Sequence, residues 1–338
     1  MDKQRKVAEC KEQFIMPNLR DIRKRIESTI SISKITMTME KIATVRMTRM
    51  MQRMESSKPY NAMLLDMVEE LFFAALKEDN RQGFCMLGHR KNVRNAGVVF
   101  IASSQGLCAG FNVALYHELE KLDQRLRNAP HPALSEKDQG HVRVEGKSHD
   151  GRISKIKLRY YAIGKKAVQF LDRRRLPMEY SLDKVTDRFT YEEIEKLSNL
   201  LVQDINLGKI DDIYLVYTHY VASATYRVVA EPLSPCKKFA KKIQGNKTPN
   251  AKPIICHPNI EELVQAFLPE IITNRIYKAL LESMVCEQIA RRMAMKQATD
   301  AADDKIEELR IMYHTMRQGK ITKEVNEMMG TVLALQRE

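Results

Sequence analysis

The sequence predicts an α/β chain: a long antiparallel coiled coil of N- and C-terminal helices plus a Rossmann-like α/β domain. Three observations predict it. Glu270 to Glu338 contains no proline and is rich in strong helix formers such as Ala290, Met293, Ala294, Lys296, Ala298, Glu307 and Leu309. Asn18 to Ser57 contains neither glycine nor proline. Between them, short apolar runs alternate with amphipathic stretches, the pattern of a βαβ arrangement.

The C-terminal stretch sets the scale. At about 1.5 Å per residue a single helix there is on the order of 100 Å long. Ala294, Ala298, Ala302, Ile306, Leu309, Tyr313 and Met316 form an apolar line with steps of three and four, the spacing of a coiled-coil seam. Its alanines admit a close partner. Gly319 and Gly330 each weaken the helix by about 1 kcal/mol relative to alanine. The N-terminal helix opens at Pro17-Asn18, with Asn18 as N-cap and Asp21 favourably placed against the helix dipole. Leu19, Ile22, Ile26 and Ile30 start its apolar stripe. After a phase shift it runs on through Ile35, Met39, Ile42, Met47, Met50 and Met54. The outer face is basic, with Arg20, Arg23, Lys24, Lys41, Arg46, Arg49 and Arg53. Pro59 is expected to break this helix, and Tyr60 to Lys77 to form a second one with Met63, Met67, Val68, Leu71 and Phe72 on its apolar side.

The middle of the chain follows in order. Glu78 to Asn95 is a polar connection, and Gly97 to Ser103 is a buried-type strand. A glycine turn, Gly106-Leu107-Cys108-Ala109-Gly110, leads into a helix from Asn112 to Leu126. The polar stretch near 128–151 is expected to be an insertion. Ile153 to Ile163 reads as a strand and Lys165 to Arg173 as a short helix. Thr190 with Glu193 is a capping box for a helix ending near Leu207. Ile213 to Tyr220 and Thr225 to Glu231 read as paired strands, and a lysine-rich loop lies near 237–253. Asn259 with Glu262 restarts helix, and Pro269 marks the handover to the long one. The predicted division is a shaft of residues 18–58 and 259–338, with an α/β foot of residues 59–258. A helix this long exceeds the width of a domain of that size, so much of the coiled coil must protrude and be covered by something else.

Composition narrows the function. The 338 residues carry a formal net charge of +13, which favours acidic partners without choosing among nucleic acid, membrane and protein. No apolar run has membrane-spanning length, and the N-terminus has neither a signal peptide's apolar core nor a transit peptide's lack of acids. A cytosolic protein is expected. Cys10, Cys85, Cys108, Cys236, Cys256 and Cys286 form no CxxC pair and no metal-ligand spacing with histidine, so reduced thiols are the default. The glycine turn lacks the GK[ST] of a P-loop and the spacing of a dinucleotide fingerprint, which favours a plain strand-to-helix turn. No catalytic constellation stands out, and no cofactor is called for. Most of the 19 methionines fall in the two long helical stretches, as core filling or as a surface that repacks against changing partners.

The two ends resemble the gamma subunit of F-type ATP synthases, the central rotor. The resemblance rests on Leu19-Arg20-Asp21-Ile22-Arg23-Lys24-Arg25-Ile26 and on Lys34-Ile35-Thr36-Met37-Thr38-Met39-Glu40-Lys41-Ile42-Ala43. At the other end it rests on Glu287 to Ala301 (EQIARRMAMKQATDA), Arg317-Gln318 and Ile321-Thr322-Lys323-Glu324. Gly106-Leu107-Cys108 with Gly110 and Asn112, then Ile163-Gly164-Lys165-Lys166, add weaker matches in the right order. Lys41, Val45, Ser104-Gln105 and Gly330-Thr331 depart from the family's usual residues.

The resemblance implies a non-catalytic shaft standing in a hexamer of alternating α and β subunits. Catalysis would occur on the β subunits, and the foot would bind the epsilon subunit and the ring of c subunits. It implies a peripheral position on the cytoplasmic face of a bacterial plasma membrane. Met39 resembles the shaft residue near an acidic lever of the β subunit, with Arg46, Arg291 and Arg292 as cations to meet that lever. Arg317, Gln318, Thr322, Glu324 and Glu327 match the polar contacts of the upper shaft. Met328 to Leu335 would turn in an apolar collar. The rival readings are a coiled-coil nucleic-acid-binding or scaffold protein, which salt-dependent duplex binding would reveal, and a nucleotide-binding enzyme of the α/β domain.

Overall fold

A computed structural model describes residues 18–77, 94–128, 156–183, 185, 189–222, 225–233 and 260–335. The polar connection up to Val93, the insertion near 128–151 beyond Asn128, the lysine-rich loop and the residues before Asn18 lie outside the described residues, whereas Asn95 already belongs to the first strand. The elements in order are α1 (Leu19–Lys77), β1 (Asn95–Ile101), α2 (Phe111–Asn128), β2 (Lys157–Ile163), α3 (Lys165–Arg174), β3 (Met178–Leu182), α4 (Tyr191–Asn206), β4 (Asp212–Ala222), β5 (Thr225–Pro232) and α5 (Ile260–Leu335). They fall into two compact units, residues 44–291 and residues 1–43 with 292–338.

Residues 44–291 are built on a five-stranded sheet of order β3-β2-β1-β4-β5. The first four strands are parallel neighbours, and β5 returns antiparallel to β4. Helices cross over after β1, β2 and β3, which is the Rossmann-like winding the sequence predicts. Side chains alternate across β1 and pack into two separate cores. Val99 and Ile101 join Ile194, Leu197 and Leu201 of α4 and Ile272, Ile276 and Leu280 of α5. Ala96, Val98 and Phe100 join Leu115, Leu119 and Leu122 of α2 and Ala167 and Leu171 of α3. Because both faces are covered, the central strands are apolar throughout rather than alternating. The short edge strand β3 escaped the sequence reading: MEYSL is half-exposed and carries no such run. At the end of β2, Gly164 has φ +98°, and a Cβ there would stand 2.1 Å from the Ala102 carbonyl oxygen. Only glycine fits. The turn lets the Gly164 N–H donate to Leu182 O at 2.9 Å and the Lys166 N–H to Ser103 O at 3.0 Å. That anchors Ser103 at the head of the glycine turn.

Two expected breaks are absent. Pro59 lies inside α1, and Pro269 lies inside α5. At Pro59 the reason is visible. Met50, Met54, Asn61 and Leu64 are buried on one continuous stripe that crosses the proline, while Pro59 and Glu55, whose carbonyl loses its partner, face outward. Packing on one side outweighs the lost rung on the other. The apolar side expected after Pro59 is also corrected. Met63 and Met67 are exposed and Asn61 and Leu64 are buried, because the stripe keeps the phase of Met50 and Met54. The side chains of Val68, Leu71 and Phe72 lie outside the described residues.

In the other unit α1 and α5 pack antiparallel. Ser33 Oγ donates to Asp303 Oδ1 at 2.8 Å, and the Thr36 and Thr299 hydroxyls meet at 2.7 Å. The buried and half-buried line on α1 runs through Ile22, Ile26, Ile30, Ser33, Thr36, Glu40 and Ala43. It keeps steps of three and four and needs no phase shift. The expected continuation through Ile35, Met39 and Ile42 is therefore wrong: all three are exposed. On α5 the buried line begins at Met295 and Thr299 rather than Ala294 and Ala298, which are half-buried, and then follows Ala302, Ile306 and Leu309 as expected.

Candidate functional site

The glycine turn is a fixed structure within residues 44–291. Ser103 Oγ donates to Gln105 O at 2.7 Å, and Asn112 Nδ2 donates to Ser103 Oγ at 2.8 Å. The Phe111 N–H closes the start of α2 on Cys108 O at 3.2 Å. Left-handed backbone falls at Leu107 (φ 62°) and Ala109 (φ 47°), not at the glycines. A Cβ at Gly106 or Gly110 would meet nothing within 4 Å. What matters at Gly106 is its carbonyl. Arg291 on α5 donates to that oxygen through Nε at 3.3 Å and Nη2 at 3.2 Å, and Nη2 also reaches Glu287 Oε1 at 2.6 Å. From α1, Arg46 Nη1 donates to Gln105 Oε1 at 3.3 Å. The turn thus receives one arginine from each long helix. Burial, and then the nearby Glu287 carboxylate, push the Cys108 thiol above its ordinary value.

Arg291, expected as a cation to meet a β-subunit lever, is turned inward. It is only 5% exposed, and its Nη1 is buried with no hydrogen-bond partner among the described residues. Glu287 four residues earlier was the available sign of an internal i, i+4 pair.

Residues 19–43 and 292–335 present two surfaces. Ile32, Ile35, Met39 and Ile42 are exposed at steps of three and four, an apolar line beside the polar seam. Arg292 is half-buried and Met293 exposed. Farther along α5, every side chain from Arg317 to Val332 is exposed. Arg317 and Gln318 point outward with them. Thr322 Oγ1 donates back to Gln318 O at 3.0 Å. Glu324 and Glu327 pair with Lys320 and Lys323 at 3.7 and 3.8 Å, contacts worth little at such exposure. Ile321, Val325, Met328 and Val332 form an apolar stripe on the same stretch. Beyond Val332 the tip side chains lie outside the described residues.

Among the described residues no cluster of His, Cys, Asp or Glu could hold a metal ion, and no helix is long and apolar enough to cross a membrane. What the geometry offers is a clamped turn and two uncovered helix surfaces.

The chain is similar to known proteins over most of its length. The family model described as ATP synthase matches residues 18–335. The ATP synthase gamma chain of Mycolicibacterium vanbaalenii is 30% identical over 334 residues, covering 94% of this chain and 97% of that one. The gamma chain of Psychrobacter arcticus is 28% identical over 322 residues, covering 95% of this chain and 100% of the relative. In structure, a chain of the Euglena gracilis mitochondrial ATP synthase rotor aligns with a TM-score of 0.56 at 12% identity, covering 90% of this chain and 98% of that one. A chain of the Tetrahymena thermophila central stalk and c-ring aligns with a TM-score of 0.52 at 18% identity, covering 78% and 99%. At these identities the structural likeness speaks for the fold. The sequence matches run from the first residues of α1 to the last of α5, and the chain belongs to the ATP synthase gamma chain family.

Proposed function

We propose that this chain is the non-catalytic central-stalk rotor subunit of an F-type ATP synthase, coupling rotation driven by ion flow to ATP synthesis and hydrolysis at β subunits. The observation that carries the reading is the uncovered end of α5, Arg317 to Val332, within a chain that matches gamma chains from end to end. A helix left exposed over that length is completed by other subunits. Its apolar stripe suits rotation in a collar, because apolar contact is non-directional and holds no single orientation. The exposed line of Ile32, Ile35, Met39 and Ile42 offers the α and β subunits a second sliding surface. Arg292 and Arg46 supply charge complementary to an acidic lever on β. Arg291 acts on that contact indirectly, by fixing the glycine turn through Gly106. The α/β unit would bind the epsilon subunit and the c-ring, on the cytoplasmic face of a bacterial plasma membrane.

Reconstitution tests this. The chain is mixed with α and β subunits of its source, and Mg-ATP hydrolysis is measured for each and for the mixture. The expected result is an inert chain that enters the active hexamer as one copy, with a bead on its α/β unit turning during hydrolysis. Failure to enter any hexamer, together with salt-dependent, site-selective duplex binding, would transfer the assignment to a coiled-coil nucleic-acid-binding protein.

A further inference from the structure

Residues 44–291 hold a polar concentration that the rotor reading leaves unused. A pocket of about 290 Å³ opens between α1, the β4–β5 hairpin and α5. Both carboxylates in its wall are already engaged. Glu231 Oε1 accepts from Arg275 at 3.1 Å and from the Tyr217 hydroxyl at 3.2 Å. Glu282, only 5% exposed, lies 2.6 Å from His219 Nδ1. Two cations in the same wall, Arg227 on β5 and Lys278 on α5, are exposed and make no ion pair among the described residues. Asn274 lines the same pocket. It is 6% exposed, and its side-chain amide makes no hydrogen bond among the described residues. Its amide atoms are not sealed from solvent, so they open to the pocket and find their partners there.

We propose that this pocket is a binding site for a small oxyanion, a compound with carboxylate or phosphate groups, held between Arg227 and Lys278 with its inner end on the Asn274 amide. Guanidinium and ammonium groups both make charge-assisted hydrogen bonds to such oxygens, and Asn274 offers a donor or an acceptor to a second polar group of the ligand. The volume lies near the lower end for ligand pockets, which limits the occupant to a small molecule. Bound ligand would join α1, the sheet and α5, so it would also raise the unfolding temperature by mass action.

Calorimetric titration of the full chain with citrate and, separately, with inorganic pyrophosphate distinguishes the two chemistries. One of them is expected to bind saturably, once per chain. Replacing both surface cations (Arg227→Gln with Lys278→Gln) should weaken that binding at least tenfold while leaving the ligand-free unfolding temperature unchanged. Asn274→Ala should weaken it further, but it is a buried change, so the surface pair decides. Equal binding by the doubly substituted chain would assign the signal to the general charge of +13 and overturn the site. Absence of saturable binding by both probes would overturn it as well.

Discussion

The two compact units solve burial in opposite ways. In residues 44–291 the innermost side chains are large: Tyr160, Tyr161, Phe100, Ile101 and Leu115 are less than 2% exposed. In the antiparallel helices of the other unit Ile22, Ile306 and Leu309 are buried, but so are Ser33, Thr36, Ala43 and Thr299, while Ile32, Ile35 and Ile42 are exposed. The inversion is not a defect of packing. Small residues let two helices approach closely, and hydroxyls that pair with each other remain satisfied inside. The large apolar residues displaced from the seam are then left on the surface. The sheet unit encloses its large apolar side chains, whereas the coiled coil leaves several of its own exposed.

Substitutions can break or sharpen that contrast. The largest effect is expected in the sheet unit at Gly164→Val. The side chain would collide with the Ala102 carbonyl in a backbone conformation that valine avoids, at a cost on the order of 3 kcal/mol or more. Urea unfolding of the full chain measures it, and unchanged stability would contradict the close approach. Arg291→Glu should follow closely, at roughly 3–5 kcal/mol, because it sets a buried carboxylate against Glu287 and abandons the Gly106 carbonyl. In the coiled coil, Thr36→Val should cost only about 1 kcal/mol, since Thr299 still donates to Met295 O at 2.9 Å. The paired change Thr36→Val with Thr299→Val should be near neutral. A double-mutant cycle with no coupling would remove the hydroxyl contact from the account.

A smaller, pH-dependent effect belongs to the sheet unit. Tyr60 and Tyr191 both donate to Glu270 Oε1 at 2.6 Å. The hydrogen bond to Glu270, then burial and the carboxylate's charge, push the Tyr60 phenol up to about 12. A raised folded-state value means that the contribution is complete below pH 10 and declines as pH rises through 12. Absorbance titration of phenolate in a Tyr191→Phe chain checks this; ionisation of Tyr60 near 10 would contradict the clamp. The smallest effect should be Val332→Ala, within about 0.5 kcal/mol, because its side chain is exposed among the described residues.

Sequence patterning revealed much of this, and its failures share a cause. The capping box at Thr190 and Glu193, the pairing of β4 with β5 and the upper seam through Ile306 and Leu309 follow from period and cap chemistry alone. The lower seam was misread because hydrophobicity marked Ile35 and Ile42 as inner residues, and nothing local to α1 says that Ser33 and Thr36 face partners on α5. The two prolines misled for a related reason: a broken rung is a local cost, and the continuous buried stripe around Pro59 is a tertiary gain. The contact of Arg291 with Gly106 spans 185 positions, and no spacing rule reaches that far. The glycine turn could be located from sequence, but its left-handed residues, Leu107 and Ala109, could not.

The exposed end of α5 has a thermal consequence. From Arg317 to Val332 the helix is exposed among the described residues, and stretches of about 12–15 residues are marginal in water when propensity alone supports them. Gly319 and Gly330 weaken it further. In the free chain, ellipticity from this end should decline gradually on warming, ahead of the cooperative step in which the sheet unit melts. Enclosure by a collar would convert that slope into part of a single transition, so the shape of a melting curve reports how much of the chain has been captured by its assembly.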